Sequence, residues 1–276
     1  MAYLIAATNF TDVSEHAVYY AAGLATMHHL ELAILHSFEF PAMVSDMPLP
    51  ASLIDDTRQD AETKINVLSD AVSATYTGLK VSHSVGYGSM VDAVERYSLD
   101  HGTPLLLILG NSNTTENASW FFSTLKAAAL RLSQPVLAIP PEAALQAVRK
   151  ICFAADTSHA FSTKVISTLA DIATLLGCEI HVLNVQQHGI PREEVPELPV
   201  GLLSGLSGRE AHYHVAYADD TDGAILQFCS ENQVDMLAVL KGNYSFLENL
   251  LHKSHTKALS STATIPLLIL HDEPGI

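Results

Sequence analysis

Residues Leu4–Phe38 read LIAATNFTDVSEHAVYYAAGLATMHHLELAILHSF, and residues Ile151–Val185 read ICFAADTSHAFSTKVISTLADIATLLGCEIHVLNV. The chain writes one pattern twice: a short apolar run, a polar turn, a long amphipathic stretch and a second apolar run. From Ala17 onward the copies align without a gap when 148 is added to the number. Ala25-Thr26 then meets Ala173-Thr174, Glu31-Leu32 meets Glu179-Ile180, and Leu35 meets Leu183. Ahead of Ala17 the second copy holds one more residue in its turn, so Asn9 falls opposite Asp156. In the first copy Val18, Ala21, Ala22 and Ala25 recur at helical spacing between the two apolar runs. A strand, a helix and a strand in so few residues make a βαβ unit, whose strands run parallel. A repeat of this size is too long for a solenoid unit and predicts two similar domains.

Phe38–Pro50 (FEFPAMVSDMPLP) holds three prolines and reads as a loop. Ile54, Ala61, Ile65, Leu68 and Val72 then mark one face of a helix over 51–74. Lys80–Val85 alternates as a third strand, Met90–Tyr97 reads as a helix, and Leu105–Leu109 is apolar throughout, as a central parallel strand should be. Gly110–Trp120 is polar and reads as irregular, ahead of a helix over 121–132 and a fifth strand opened by Pro135. The second half repeats the plan, with a strand over 212–217, a helix over 224–231, a strand over 236–240, a helix over 250–259 and a last strand opened by Pro266. The proline- and glycine-rich stretch between Val185 and Tyr213 replaces its second helix. The expected division is a first domain over 1–141, a linker over 142–149 and a second domain over 150–276.

Fourteen basic against thirty acidic residues give a net charge of −16, which argues against nucleic acid and anionic membranes as partners. It also leaves few cations to hold a polyanion. The N-terminal run MAYLIAATNF reads as a first strand and not as a signal peptide, and no apolar run reaches the roughly 18 residues of a membrane span. Three cysteines, Cys152, Cys178 and Cys229, form no CxxC and favour reduced thiols in a cytoplasm.

The openings LIAATNFTDVSEHAVYYA and FAADTSHAFSTKVI resemble the start of a universal stress protein domain, where the first strand ends in a Thr-Asp turn followed by Ser or Thr. The closing order of each half (apolar strand, polar loop, helix, proline, apolar strand) is similar to that family's second half. The resemblance covers nearly the whole chain and implies an α/β fold of two tandem flavodoxin-like (Rossmann-like) domains. Each would be a five-stranded parallel sheet with helices on both faces, the two packed as a pseudo-dimer.

The resemblance also implies a ligand. Many members bind ATP, with Mg, through a loop of the form G-x2-G-x9-G-[ST] after strand four. Glycines let the backbone approach the phosphates, and N–H groups at the next helix start hold the charge. An acidic residue at the end of strand one holds the adenosine. Such ligands sit beyond the carboxyl ends of the strands where strand order reverses. In GNSNTTENASWFFST, Gly110 and Thr124 match, while Asn113 and Ser123 replace glycines and Asn9 replaces the acid. With Thr8 these six residues form a degraded site in the first domain. In the second half Asp156 is kept, but LKGNYSFLENLLHKS puts Leu240, Asn243 and Lys253 at the glycine positions and keeps only Ser254. That half resembles the branch of the family without ATP binding.

Other constellations carry less. The histidine spacings His28-His29, His212-x-His214 and His252-x-x-His255 lack a third ligand visible in sequence, so they read as surface or interface histidines and no metal site is expected. Asp55-Asp56 reads as a helix start and Asp219-Asp220 as an Asx-type turn. No GxSxG, HExxH or Walker-type motif is present. The expected function is a stress-response binding or signalling module with no turnover of its own and, at most, one weak adenine-nucleotide site in the first domain. The alternatives are a slow ATP hydrolase or phosphoryl-transfer protein on the same loop, and a scaffold without nucleotide whose Phe38–Pro50 loop meets a partner. Near Gly110–Thr124 the one acid is Glu116, with no Lys or Arg, which disfavours phosphoryl transfer. A monomer and a homodimer are both compatible with the tandem plan.

Overall fold

The computed structural model describes residues 2–39, 51–111, 115–155, 161–186, 202, 205–206, 208, 210–240 and 265–271. The chain divides into two compact units, Met1–Pro141 and Glu142–Ile276.

The first unit runs β1 (Tyr3–Thr8), α1 (Asp12–Met27), β2 (Glu31–Phe38), α2 (Ala51–Thr75), β3 (Val81–Tyr87), α3 (Met90–His101), β4 (Leu106–Gly110), α4 (Thr115–Arg131) and β5 (Val136–Ile139). All its strand pairs are parallel, in the order β3-β2-β1-β4-β5. The second unit runs β6 (Lys150–Ala154), α5 (Thr163–Leu176), β7 (Glu179–Gln186), β8 (Ala211–Tyr217), α6 (Thr221–Glu231), β9 (Met236–Leu240) and β10 (Leu267–Leu270). Its parallel order is β8-β7-β6-β9-β10, the same topology.

The strand registers carry the repeat's arithmetic. Tyr3 pairs with Glu31, and Lys150 pairs with Glu179. The partners differ by 147 on the first strands and by 148 on the second, so the extra residue lies in the turn, where the sequence places it. Ser162, which caps α5, is the counterpart of Ser14 at that offset.

Every residue of β1, β4 and β5 is buried, as parallel strands covered on both faces must be. The edge strands β3 and β8 are mixed. Most of α1 from Ala17 to Ala25 is buried, and its alanines let the helix axis approach the sheet closely. Of the expected face of α2, Ala61, Ile65, Leu68 and Val72 are buried. Pro135 and Pro266 stand just ahead of β5 and β10; each lacks an N–H but still accepts from the neighbouring strand, at 3.1 Å from Leu107 N and 3.0 Å from Leu237 N.

One boundary differs from the sequence reading. The helix expected over 121–132 begins at Thr115, so half of the polar stretch 110–120 is its opening. Thr-Glu-Asn-Ala-Ser is polar enough to look like loop, yet Ser, Thr and Glu are favoured in a helix's first turns. Asp55-Asp56 likewise falls in the second turn of α2 and not at its start. The helix expected over 250–259 lies outside the described residues, as does most of the Phe38–Pro50 loop. Among the described residues no helix is long and apolar enough to cross a membrane.

Candidate functional site

The topology puts the strand-order reversal of the first unit between β1 and β4. Their ladder runs from Leu4–Leu106 to Ala6–Ile108, and Thr8 and Gly110 lie two residues beyond its end on neighbouring strands. Thr8, Asn9 and Gly110 are therefore brought together at the carboxyl edge of the sheet.

The turn after β1 is closed by its own hydroxyls. Thr8 Oγ1 accepts from Phe10 N at 2.9 Å and pairs with Ser14 Oγ at 3.0 Å. Ser14 Oγ accepts from Asn9 N at 3.3 Å and from Thr11 N at 3.0 Å, and donates to Thr11 O at 2.9 Å. Thr11 Oγ1 donates to Asn9 Oδ1 at 2.7 Å, and Thr11 and Ser14 form the reciprocal capping box of α1. The amides of Asn9, Phe10 and Thr11 are all bonded inside the turn.

Phe10 sits at φ 60°, unusual for a bulky residue and of order 1–3 kcal/mol in cost. It is held there by its amide bond to Thr8 and by its ring, 4.3 Å from the His36 imidazole. His36 Nδ1–H donates to Thr8 O at 2.8 Å, and the Lys64 ammonium stands 6.0 Å from the Phe10 ring centroid. Burial holds the His36 pKa below its ordinary value; the Thr8 carbonyl opposes that shift and the Lys64 charge adds to it.

Gly110 has a packing reason of its own. A Cβ there would stand 2.5 Å from Val13 O and 3.0 Å from Ser14 Cα, so β4 can end against the first turn of α1 only without a side chain. Next to it Asn111 is buried, and its Oδ1 has no hydrogen-bond partner among the described residues, although its N–H donates to Ile139 O at 2.8 Å. Asn111 follows the last residue of β4, at the edge where the resemblance implies a ligand.

The remaining expected residues are not gathered there. Ser123 and Thr124 are the ninth and tenth residues of α4. Their amides sit inside the helix, where N–H groups already donate four residues back. Ser123 is exposed and its Oγ donates to Trp120 O at 3.0 Å; Thr124 is buried. Asn113, Asp156, Asn243, Lys253 and Ser254 lie outside the described residues. Sequence reasoning missed Ser14, His36 and Asn111; of these only Ser14 had a signal, as the Ser that follows the first-strand turn.

Solved structures share this architecture. A universal stress protein from Archaeoglobus fulgidus DSM 4304 superposes with a TM-score of 0.68 over 97% of this chain and 97% of its own, at 16% identity. The fold is the universal stress protein fold. The same fold serves elsewhere: the cytoplasmic domain of a prokaryotic cation chloride cotransporter matches with a TM-score of 0.56, 9% identity and coverage of 98% and 95%. No protein-family model and no curated protein matches the sequence. At these identities the universal stress protein likeness carries the architecture, and function has to be argued from the site.

Proposed function

We propose that this chain is a tandem universal stress protein of the cytoplasm, a binding module without turnover. Its one adenine-nucleotide site, at the ends of β1 and β4 in the first unit, is weak. The observation that carries this reading is the closed turn: the amides of Asn9, Phe10 and Thr11 already have partners in the Thr8 and Ser14 hydroxyls. A ligand held by these amides would have to break those bonds. The placement of Ser123 and Thr124 inside α4 removes a second set of donors. Among the described residues, what is left for a nucleotide is the buried Asn111 Oδ1, an acceptor suited to the exocyclic amine of adenine or a ribose hydroxyl.

Titration calorimetry of the full chain with Mg-ATP tests this. The expected result is saturable binding with a dissociation constant of about a millimolar or weaker, near −4 kcal/mol, reduced further by Asn111→Leu. Micromolar binding, or binding that Asn111→Leu leaves intact, contradicts it.

A further inference from the structure

A second group of polar side chains lies at the opposite, amino-terminal edge of the second unit's sheet. β7 and β8 are parallel, with His181 opposite His212 in the register. Residues two apart on a strand share a face, so Glu179 and His181 of β7 stand with His212 and His214 of β8. The His181 and His214 rings stack with centroids 5.1 Å apart and planes 9° apart, and Phe228 of α6 packs against His214 at 4.8 Å.

Glu179, His181 and His212 each offer one ligand atom within 4.8 Å of the other two. His181 Nε2 is 3.2 Å from Glu179 Oε1, and His212 Nε2 is 3.6 Å from Glu179 Oε2. A tetrahedral ion with bonds of about 2.0–2.1 Å separates its donors by about 3.3–3.4 Å, close to the 3.2 Å between His181 Nε2 and Glu179 Oε1. His181 is 7% exposed, and its Nε2 makes no hydrogen bond among the described residues. Its other nitrogen, Nδ1, lies 3.0 Å from His214 Nε2. With an ion bound, the Nδ1 proton donated to His214 leaves the Nε2 lone pair to the metal in place of the 3.2 Å contact with Glu179. Ligating histidines are held by such a bond through the other ring nitrogen.

We propose that Glu179, His181 and His212 form a divalent transition-metal site of the zinc class, tying β7 to the edge strand β8. Two imidazoles and a carboxylate suit zinc and its neighbours, whereas calcium and magnesium take oxygen donors. Glu210, whose Oε1 is 3.7 Å from His212 Nε2, is placed to fill a fourth position. The Lys150 ammonium, 3.7 Å from Glu179 Oε1, offsets part of the site's negative charge and lowers its affinity. β7 ends at Gln186 and β8 begins at Ala211, so an ion across the pair fixes a register that a long connection leaves weakly specified.

The test uses the full chain without an affinity tag, stripped by chelation, titrated with Zn2+ by calorimetry and with Co2+ as an optical probe. One equivalent of Zn2+ is expected, with the intense visible Co2+ bands of a tetrahedral site. His212→Ala, at a half-exposed position, and Glu179→Gln, which keeps the side chain's shape, should each lower Zn2+ affinity at least tenfold and remove those bands. His83→Ala, an exposed histidine of β3, should change neither, and thermal melts confirm that each variant is folded. No Zn2+ binding, an octahedral Co2+ spectrum, or binding that survives both β7 and β8 changes overturns the proposal.

Discussion

The Cβ that Gly110 lacks would stand 2.5 Å from the carbonyl oxygen of Val13. The end of β4 and the first turn of α1 therefore meet backbone to backbone, at the point where the strand order reverses. A glycine that looks in sequence like a phosphate-binding residue is required here by packing alone. Gly110→Ala should destabilise the first unit by about 1–3 kcal/mol in thermal or urea unfolding, because neither backbone can yield freely. Loss of nucleotide binding in a Gly110 variant therefore does not by itself locate a nucleotide.

Ser14 is the hub of the turn, with bonds to Thr8, Asn9 and Thr11. Ser14→Ala takes the acceptor from the half-buried amides of Asn9 and Thr11 and removes half of a capping box. It should cost about 1–3 kcal/mol, read as a lower urea midpoint, with Thr26→Ala on the far end of α1 costing less.

His36 gives the first unit a pH dependence of known sign. Its folded pKa is lowered by burial, from an ordinary value of 6.5. In the window just below that value the unfolded chain binds a proton at His36 that the folded chain does not. Stability from this group is therefore present above about 6.5 and lost as pH falls toward the folded pKa. Urea midpoints at pH 7.5 and 5.5 should differ more in the wild type than in His36→Gln.

The thiols should be silent in the folded protein. Cys152 is buried, and its pKa is raised by the neighbouring Cys229 thiol and by burial; burial pushes Cys178 up to about 12. Since the thiolate is the reactive form, a maleimide or disulfide reagent at pH 7 should label slowly until denaturant is added, and then modify three groups.

What the sequence made legible was whatever repeats or alternates locally. The offset of 148, the βαβ openings and the apolar central strands lead to two parallel α/β repeats, the resemblance implied their flavodoxin-like form, and even the one-residue difference in the turns reappears in the Tyr3–Glu31 and Lys150–Glu179 registers. The start of α4 was not legible, because Thr115–Ser119 is as polar as a loop and its helix signals are weak ones. Nor was the closing of the β1 turn, since a hydroxyl that binds a ligand and one that binds its own backbone look alike in sequence. The histidine cluster was half visible. Glu179-x-His181 and His212-x-His214 are each spacings on one strand, but only the register of β7 against β8 brings them together.

The amides of Asn9, Phe10 and Thr11 in the turn after β1 are already used within that turn. Amide hydrogen exchange at Asn9, Phe10 and Thr11, with and without millimolar Mg-ATP, reads it most directly. Slow exchange is expected at all three without ligand, with no further protection when nucleotide is added. Fast exchange in the free protein, turning slow with Mg-ATP, would contradict this and make the turn's amides part of the nucleotide site.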